Sequence, residues 1–256
     1  MRDKYSFYET FDMLVAKATV ECQWSESTIK KYGTFRKHLQ SFAPKTRFAE
    51  WDKDMINRFI VFEGKKLKMV DSSVQKDVKM LKWFLRRAMK VGAKVPADFL
   101  NFRYKFKLIE KEVVFLTWDE LIRLYNFEVP EEGTVVRLKD ISGLIYKKEV
   151  RNRSSLLKTR DLFCFCAFTG LRYSDMASLK RTDITSDFIN VITEKTDCTL
   201  KIPLNAYSRA ILQKYEDERY PGNLALPIIT NQKMNEYLKD LCEICGFNTP
   251  IKYSYY

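Results

Sequence analysis

Several features are scarce in this sequence, and each scarcity removes a class of protein. No apolar run approaches the roughly 20 residues that cross a bilayer as a helix, so no membrane span is expected. The opening residues, Met1-Arg2-Asp3-Lys4-Tyr5, carry no apolar stretch of the kind that directs secretion. Six cysteines in a chain without such a leader are expected as reduced thiols in the cytoplasm. There is one histidine, His38, and one C-x-x-C pair, Cys242-Glu243-Ile244-Cys245. A zinc site takes about four ligands, and neither feature has a second set to complete one. Cys242 and Cys245 fall in helical register with Leu238 and Leu241, so core packing is expected and neither metal nor cofactor is. Internal repeats and low-complexity tracts are also absent.

What is present is apolar bulk and positive charge. Of the 256 residues 46% are hydrophobic, with 18 Phe and 14 Tyr, enough to bury one large core or two ordinary ones. The net charge of +12 is unevenly placed. Residues 1–110 hold 24 Lys and Arg against 13 Asp and Glu, whereas residues 111–256 hold 21 against 20. So one-sided an excess points to a polyanionic partner, since Lys and Arg displace the counterions condensed on nucleic acid. A solubility surface is the competing explanation.

The first 92 residues read as four helices. A candidate first helix runs from about Phe7 to Cys22. In the second, Ile29, Tyr32, Phe35, Leu39 and Phe42 recur at steps of three and four, the stripe of an amphipathic helix. Ser25 or Ser27 can cap its start, and Ala43-Pro44 ends it. The third runs from about Asp52 to Lys66. The fourth buries Val74, Val78, Leu81, Leu85 and Ala88 and sets beside them a second stripe of Lys79, Lys82, Arg86 and Lys90. Asp77 is the only acid between Lys76 and Lys94, so this stripe is a candidate phosphate-binding face, with a solvated face as the plain alternative. Residues 93–112 contain Pro96 and the cations Arg103, Lys105, Lys107 and Lys111, and read as a basic linker.

Residues 113–256 read as a second domain of mixed helix and strand. Thr117-Trp118-Asp119-Glu120 is a capping box opening a helix through Tyr125. Residues 128–145 fit no single pattern. A helix apolar on nearly all sides is expected from Thr159-Arg160-Asp161 to a stop at Gly170. Phe188–Thr193 and Thr199–Leu204 form a hairpin pattern, and helices are expected over Ala206–Glu218 and Asn231–Cys245.

Arg172 lies where that buried helix breaks, just before a new one starts at Ser174. A guanidinium held there offers paired donors that match two phosphate oxygens. An ion pair with Asp175 that fastens two helices explains the spacing equally well.

The run Phe168-Thr169-Gly170-Leu171-Arg172-Tyr173-Ser174-Asp175-Met176-Ala177-Ser178-Leu179 resembles the first arginine motif of the tyrosine recombinase (phage integrase) family, and the wider chain is similar to integrases of conjugative transposons. The resemblance implies a mainly α, multidomain fold. A four-helix, SAM-like core-binding domain (residues 1–92) would be followed by a linker (93–112) and the first part of a mixed α+β catalytic domain (113–256). It implies metal-independent DNA integration and recombination through a 3′-phosphotyrosine. Double-stranded DNA would be the partner, with self-association on it and no membrane or small-molecule cofactor. Arg172 matches the catalytic arginine, Asp175 the acid that supports it, and Lys195 the hairpin lysine. Lys79, Lys82, Arg86, Lys90, Arg103 and Lys105 are the candidate DNA contacts. The family's His-x-x-Arg and its later tyrosine have no match, since His38-Leu39-Gln40-Ser41 belongs to the first domain. Tyr253, Tyr255 and Tyr256 precede the place where that arginine belongs and are expected to be structural aromatics. The expectation is a C-terminally shortened chain that holds part of an active site, cannot itself cut DNA and contains no nucleophile. A non-catalytic DNA-binding regulator and an RNA-binding helical protein are the alternatives.

Overall fold

In the computed structural model, residues 6–107, 115–139, 142–193 and 198–247 are described. They divide into two compact units, Met1–Lys111 and Glu112–Tyr256.

The first unit is built by caps and aromatic stripes. Helix α1 (Phe7–Glu21) starts where the Ser6 hydroxyl accepts from the Glu9 N–H. Helix α2 (Glu26–Phe42) is capped by Ser25, whose Oγ accepts from the Thr28 N–H, and it ends at Ala43. Helix α3 (Lys53–Val61) is capped by Asp52. It runs on as one π-helical turn, Phe62–Lys66, closed by Leu67 N–H to Phe62 O at 3.2 Å. Helix α4 (Asp71–Lys90) follows, and a 3₁₀ turn covers Ala97–Asn101.

The apolar faces meet in a core of Phe11, Phe35, Phe59, Leu81, Phe84 and Phe99, with Trp51 stacked on Phe7 at 5.3 Å between ring centres. Val95, Phe99 and Phe102 are buried in this same core. Part of the stretch read from sequence as a linker is therefore packed body of the first unit, because its apolar side chains face inward while Arg103 and Lys105 face water.

Three polar side chains share that interior: His38 of α2, Glu63 of the π turn and Asp77 of α4. Burial first, and Asp77 second, push the Glu63 carboxyl up to about 10.

The second unit wraps around one central helix. Helix α5 (Trp118–Tyr125) opens with the Thr117/Glu120 capping box. Strands β1 (Val135–Lys139) and β2 (Ile145–Glu149) pair antiparallel, which resolves much of the unassigned 128–145 stretch. Helix α6 (Arg153–Thr169) starts at Arg153, six residues before the expected Thr159. Its polar Ser154-Ser155 turn hides the start, but Leu156 is already buried and the Arg153 Nε donates to Val129 O at 3.0 Å. The helix stops at Gly170, which sits in the left-handed region at φ 72.

Helix α7 (Tyr173–Ala177) comes next, then the antiparallel pair β3 (Phe188–Ile192) and β4 (Thr199–Pro203), with Phe188 opposite Pro203 and Ile192 opposite Thr199. Helices α8 (Ala206–Lys214) and α9 (Asn231–Ile244) pack on α6 together with α5. The expected hairpin and final helices are thus present with slightly shorter bounds.

Cys164, Cys166, Cys242 and Cys245 lie in this core, as spacing suggested for the last two, and burial pushes the Cys164 thiol up. Asp161 is the buried ionic hinge of the unit. One oxygen accepts from Arg160, the other from Lys214 and from the Tyr215 hydroxyl. Among the described residues no helix is long and apolar enough to cross a membrane.

Candidate nucleic-acid interface

In the first unit the candidate surface is the outer side of α4. The apolar stripe Val74, Val78, Leu81, Leu85 and Ala88 is buried as spacing required, and this fixes which way the neighbouring stripe points. Lys79, Arg86 and Lys90 are exposed. Lys82 is half-buried, and its ammonium donates to Phe102 O at 2.9 Å. Burial first, then the charges of Arg86 and Arg103, hold the Lys82 amine below the usual lysine range.

The structure therefore gathers Lys82 and Arg86 of α4 with Arg103, from the stretch after that helix, into one positive field. No short-range pattern in the chain links the two segments. Lys105 is exposed on the same extended stretch, and the backbone N–H of Lys107 is fixed to Asp71 at 2.8 Å.

Asp77, the only acid inside the α4 stripe, does not face this field. Its side chain is 10% exposed and receives His38 Nδ1 at 2.8 Å on the interior side. The sequence held a signal for this. Asp77 stands three residues after Val74, His38 three after Phe35, and Glu63 seven after Ile56, so all three occupy apolar register positions. A polar residue in apolar register is a buried polar residue. Arg87, a further α4 cation, is spent on Glu21 at 3.6 Å and on the face of Trp83 at 4.9 Å.

In the second unit, the backbone at Arg172 is set by its neighbours. Gly170 turns the chain at the end of α6, and Arg172 takes extended geometry (φ −70, ψ 158) as the residue before α7. The Thr169 hydroxyl donates to Phe165 O at 2.7 Å, and the carboxamide of Asn205 donates to Phe168 O at 3.2 Å, which ties the start of α8 to the end of α6. Phe168 stacks on Tyr207 at 4.7 Å, with Trp118 edge-on to both.

The Arg172 side chain is 44% exposed, and its guanidinium lies 3.9 Å from the Asp175 carboxylate, which is 2% exposed. At that distance and exposure the pair contributes little to stability. The guanidinium is thus presented on a rigid turn with donors to spare, and its side chain is less confined than the position between two helices suggested. Lys195, Tyr253, Tyr255 and Tyr256 lie outside the described residues. The strands flanking Lys195 are described up to Thr193, whose N–H donates to Cys198 O at 3.0 Å.

A helical unit with a cationic outer helix, followed by a mixed α+β unit with an arginine on a tight inter-helix turn, defines the phage-integrase fold class, and the comparisons agree. Residues 6–106 match the phage integrase SAM-like domain. A lambda integrase tetramer bound to a Holliday junction superposes with a TM-score of 0.69 at 16% identity, over 96% of this chain and 68% of that one. A lambda integrase dimer bound to a COC′ core site gives 0.69 at 15% identity, over 97% and 84%. The Tn1549 transposon integrase in complex with circular intermediate DNA gives 0.56 at 14% identity, over 86% and 68%. Among curated protein sequences none matches. At these identities the superpositions establish fold. The match over residues 6–106 gives the first unit a phage integrase SAM-like domain.

Proposed function

We propose that this chain binds core-site duplex DNA through its first unit and brings Arg172 and Lys195 to a scissile phosphate. It would do so as part of site-specific recombination that integrates a mobile element through a 3′-phosphotyrosine intermediate. The observation that carries this reading is the outer face of α4. Lys79, Arg86 and Lys90 stand exposed, Lys82 and Arg103 add to their field, and Asp77, the acid within the stripe, is turned into the core. A phosphate backbone would relieve the mutual repulsion of Lys82, Arg86 and Arg103, which adds to burial in holding the Lys82 amine below its usual range.

At the phosphate, the Arg172 guanidinium donates N–H bonds to non-bridging oxygens as negative charge develops on them. Donors of this kind are typically worth about 10²–10³ each in rate. Asp175, buried behind it, orients the guanidinium from 3.9 Å. Lys195 carries an ammonium that can protonate the leaving oxygen. Self-association on DNA accompanies this reading, as in the lambda integrase dimer and tetramer to which the fold is similar.

The test is binding of the whole chain to duplex DNA and to RNA of equal length across a salt series. Tighter binding to duplex DNA, with log affinity falling linearly against log salt, is expected. Salt-independent binding, or preference for RNA, overturns the proposal.

A further inference from the structure

A polar cluster inside the first unit remains unexplained by DNA binding. His38, Glu63 and Asp77 come from three successive helical segments and converge on one point. His38 Nδ1 lies 2.8 Å from Asp77 Oδ2 and 3.4 Å from Glu63 Oε1, and one ligand atom from each residue falls within 4.8 Å of the others. Glu63 is completely buried, and neither of its carboxylate oxygens has a hydrogen-bond partner. One imidazole nitrogen carries at most one proton and cannot serve two carboxylates. Two acidic side chains facing one imidazole nitrogen leave this interior short of donors, and a cation at the centre of the three groups makes up that shortfall.

We propose that His38, Glu63 and Asp77 form a site for a divalent cation of the zinc class, which fastens α2, the π turn after α3, and α4 to one another. The spacing suits such an ion: metal–ligand bonds of about 2.0–2.1 Å at tetrahedral angles set ligand atoms about 3.3 Å apart. One imidazole and two carboxylates match its ligand preferences, and the 24% exposure of His38 leaves a route for water as fourth ligand. Calcium, which takes six to eight oxygens, finds too few here. The π turn belongs to the same argument. An extra residue in the helical turn swings Glu63 inward, and such turns often mark functional positions. The site would also hold Asp77 away from the cationic face of α4, keeping that face free of negative charge.

The whole chain, stripped with a chelator, would be titrated with Zn²⁺ in a calorimeter and its melting followed, with Co²⁺ as a spectroscopic probe. One Zn²⁺ per chain and a raised melting temperature are expected. Bound Co²⁺ should show visible bands without thiolate charge transfer. His38→Gln and Glu63→Gln should each weaken Zn²⁺ binding by more than about tenfold. The Co²⁺ spectrum uses the unaltered chain, so a variant that fails to fold does not decide the matter. Failure of the unaltered chain to bind either ion overturns the proposal, and the cluster is then a proton-sharing network. Zn²⁺ binding that persists in both variants overturns it as well. So do thiolate bands that vanish in Cys242→Ser, which would place the ion among the cysteines of the second unit.

Discussion

Removing the exposed cations of α4 gives the sharpest check on the proposed interface, because the structure separates those that face water from the one that does not. Lys79, Arg86 and Lys90 are exposed, whereas the Lys82 ammonium is bonded to Phe102 O. Each phosphate contact on duplex DNA contributes about 0.9 to the slope of log affinity against log salt. Changing Lys79, Arg86 and Lys90 together to Gln should flatten the slope by about 2.7 if all three touch phosphates. At about 0.1 M salt that corresponds to a loss of roughly 500-fold in affinity, uniform across DNA sequences because phosphate contacts read no bases. Stability should hardly change, as exposed helical positions tolerate Gln well. The assay is fluorescence anisotropy with a labelled duplex over a salt series, with circular dichroism to confirm folding. An unchanged slope in a folded triple variant refutes the interface and leaves α4 with a solvated face. A weaker but parallel line would mean that the residues act through the general field and touch no phosphate.

Other perturbations probe other links. Phosphate contact should raise the lowered pKa of Lys82 and so take up a proton; duplex affinity is then expected to fall as pH rises through a value below the usual lysine range, and Lys82→Met should remove that dependence. A pH-independent affinity in the unaltered chain would detach Lys82 from the interface. Arg172→Ala should leave the melting temperature within a few degrees, given its 3.9 Å pair and 44% exposure, while abolishing strand-exchange product when this chain is joined to a segment that carries the second arginine and the tyrosine; a large drop in melting would make it a fastener of helices. In the same joined enzyme, Lys195→Ala should slow cleavage more than binding, read from single-turnover rates against affinity. Phe84→Ala should cost about 3–5 kcal/mol in denaturant unfolding of the first unit. Its ring is fully buried against Phe7, Phe11 and Phe48 at 5.0, 4.9 and 5.8 Å, and a loss below about 1 kcal/mol would mean that the core refills the gap.

How far the sequence could be read depended on whether the deciding interactions are local. Helices α2 and α4 were legible because Ser25, Ala43-Pro44 and the periodic apolar positions all act within a turn or two. The capping box of α5 and the stop at Gly170 are local for the same reason. What escaped was settled by distant partners. The start of α6 at Arg153 depends on Val129 O, 24 residues earlier. Residues 95–102 looked like a linker because Pro96 and the following cations dominate their pattern, yet Phe99 and Phe102 find their partners on the helices of the first unit. At the candidate site, the α4 stripe and the Arg172 turn could be read from spacing. The field joining Lys82 to Arg103, and the three-helix cluster of His38, Glu63 and Asp77, could not, since no short-range pattern links residues that far apart.

Asp77 shows why net charge alone is a poor guide to an interface. Counted along the sequence, it neutralises one of the cations around it. Placed in the structure, it faces His38 and Glu63 inside the unit, and the outer face of α4 keeps its full positive charge. Moving one acid across the helix in this way enlarges the field at the surface without adding a lysine. On the proposed interface the field would act on phosphates through a medium of high dielectric, where each contact is modest and salt-dependent, while the inward carboxylates sit where charge is costly. Asp77→Asn therefore has two separable consequences. Duplex affinity should stay nearly constant, because the carboxylate does not face the DNA side, whereas stability should change, because the interior loses the partner of His38. A large gain in duplex affinity on Asp77→Asn would show instead that the acid had been weakening the cationic face all along, and the inward placement would lose its meaning for binding.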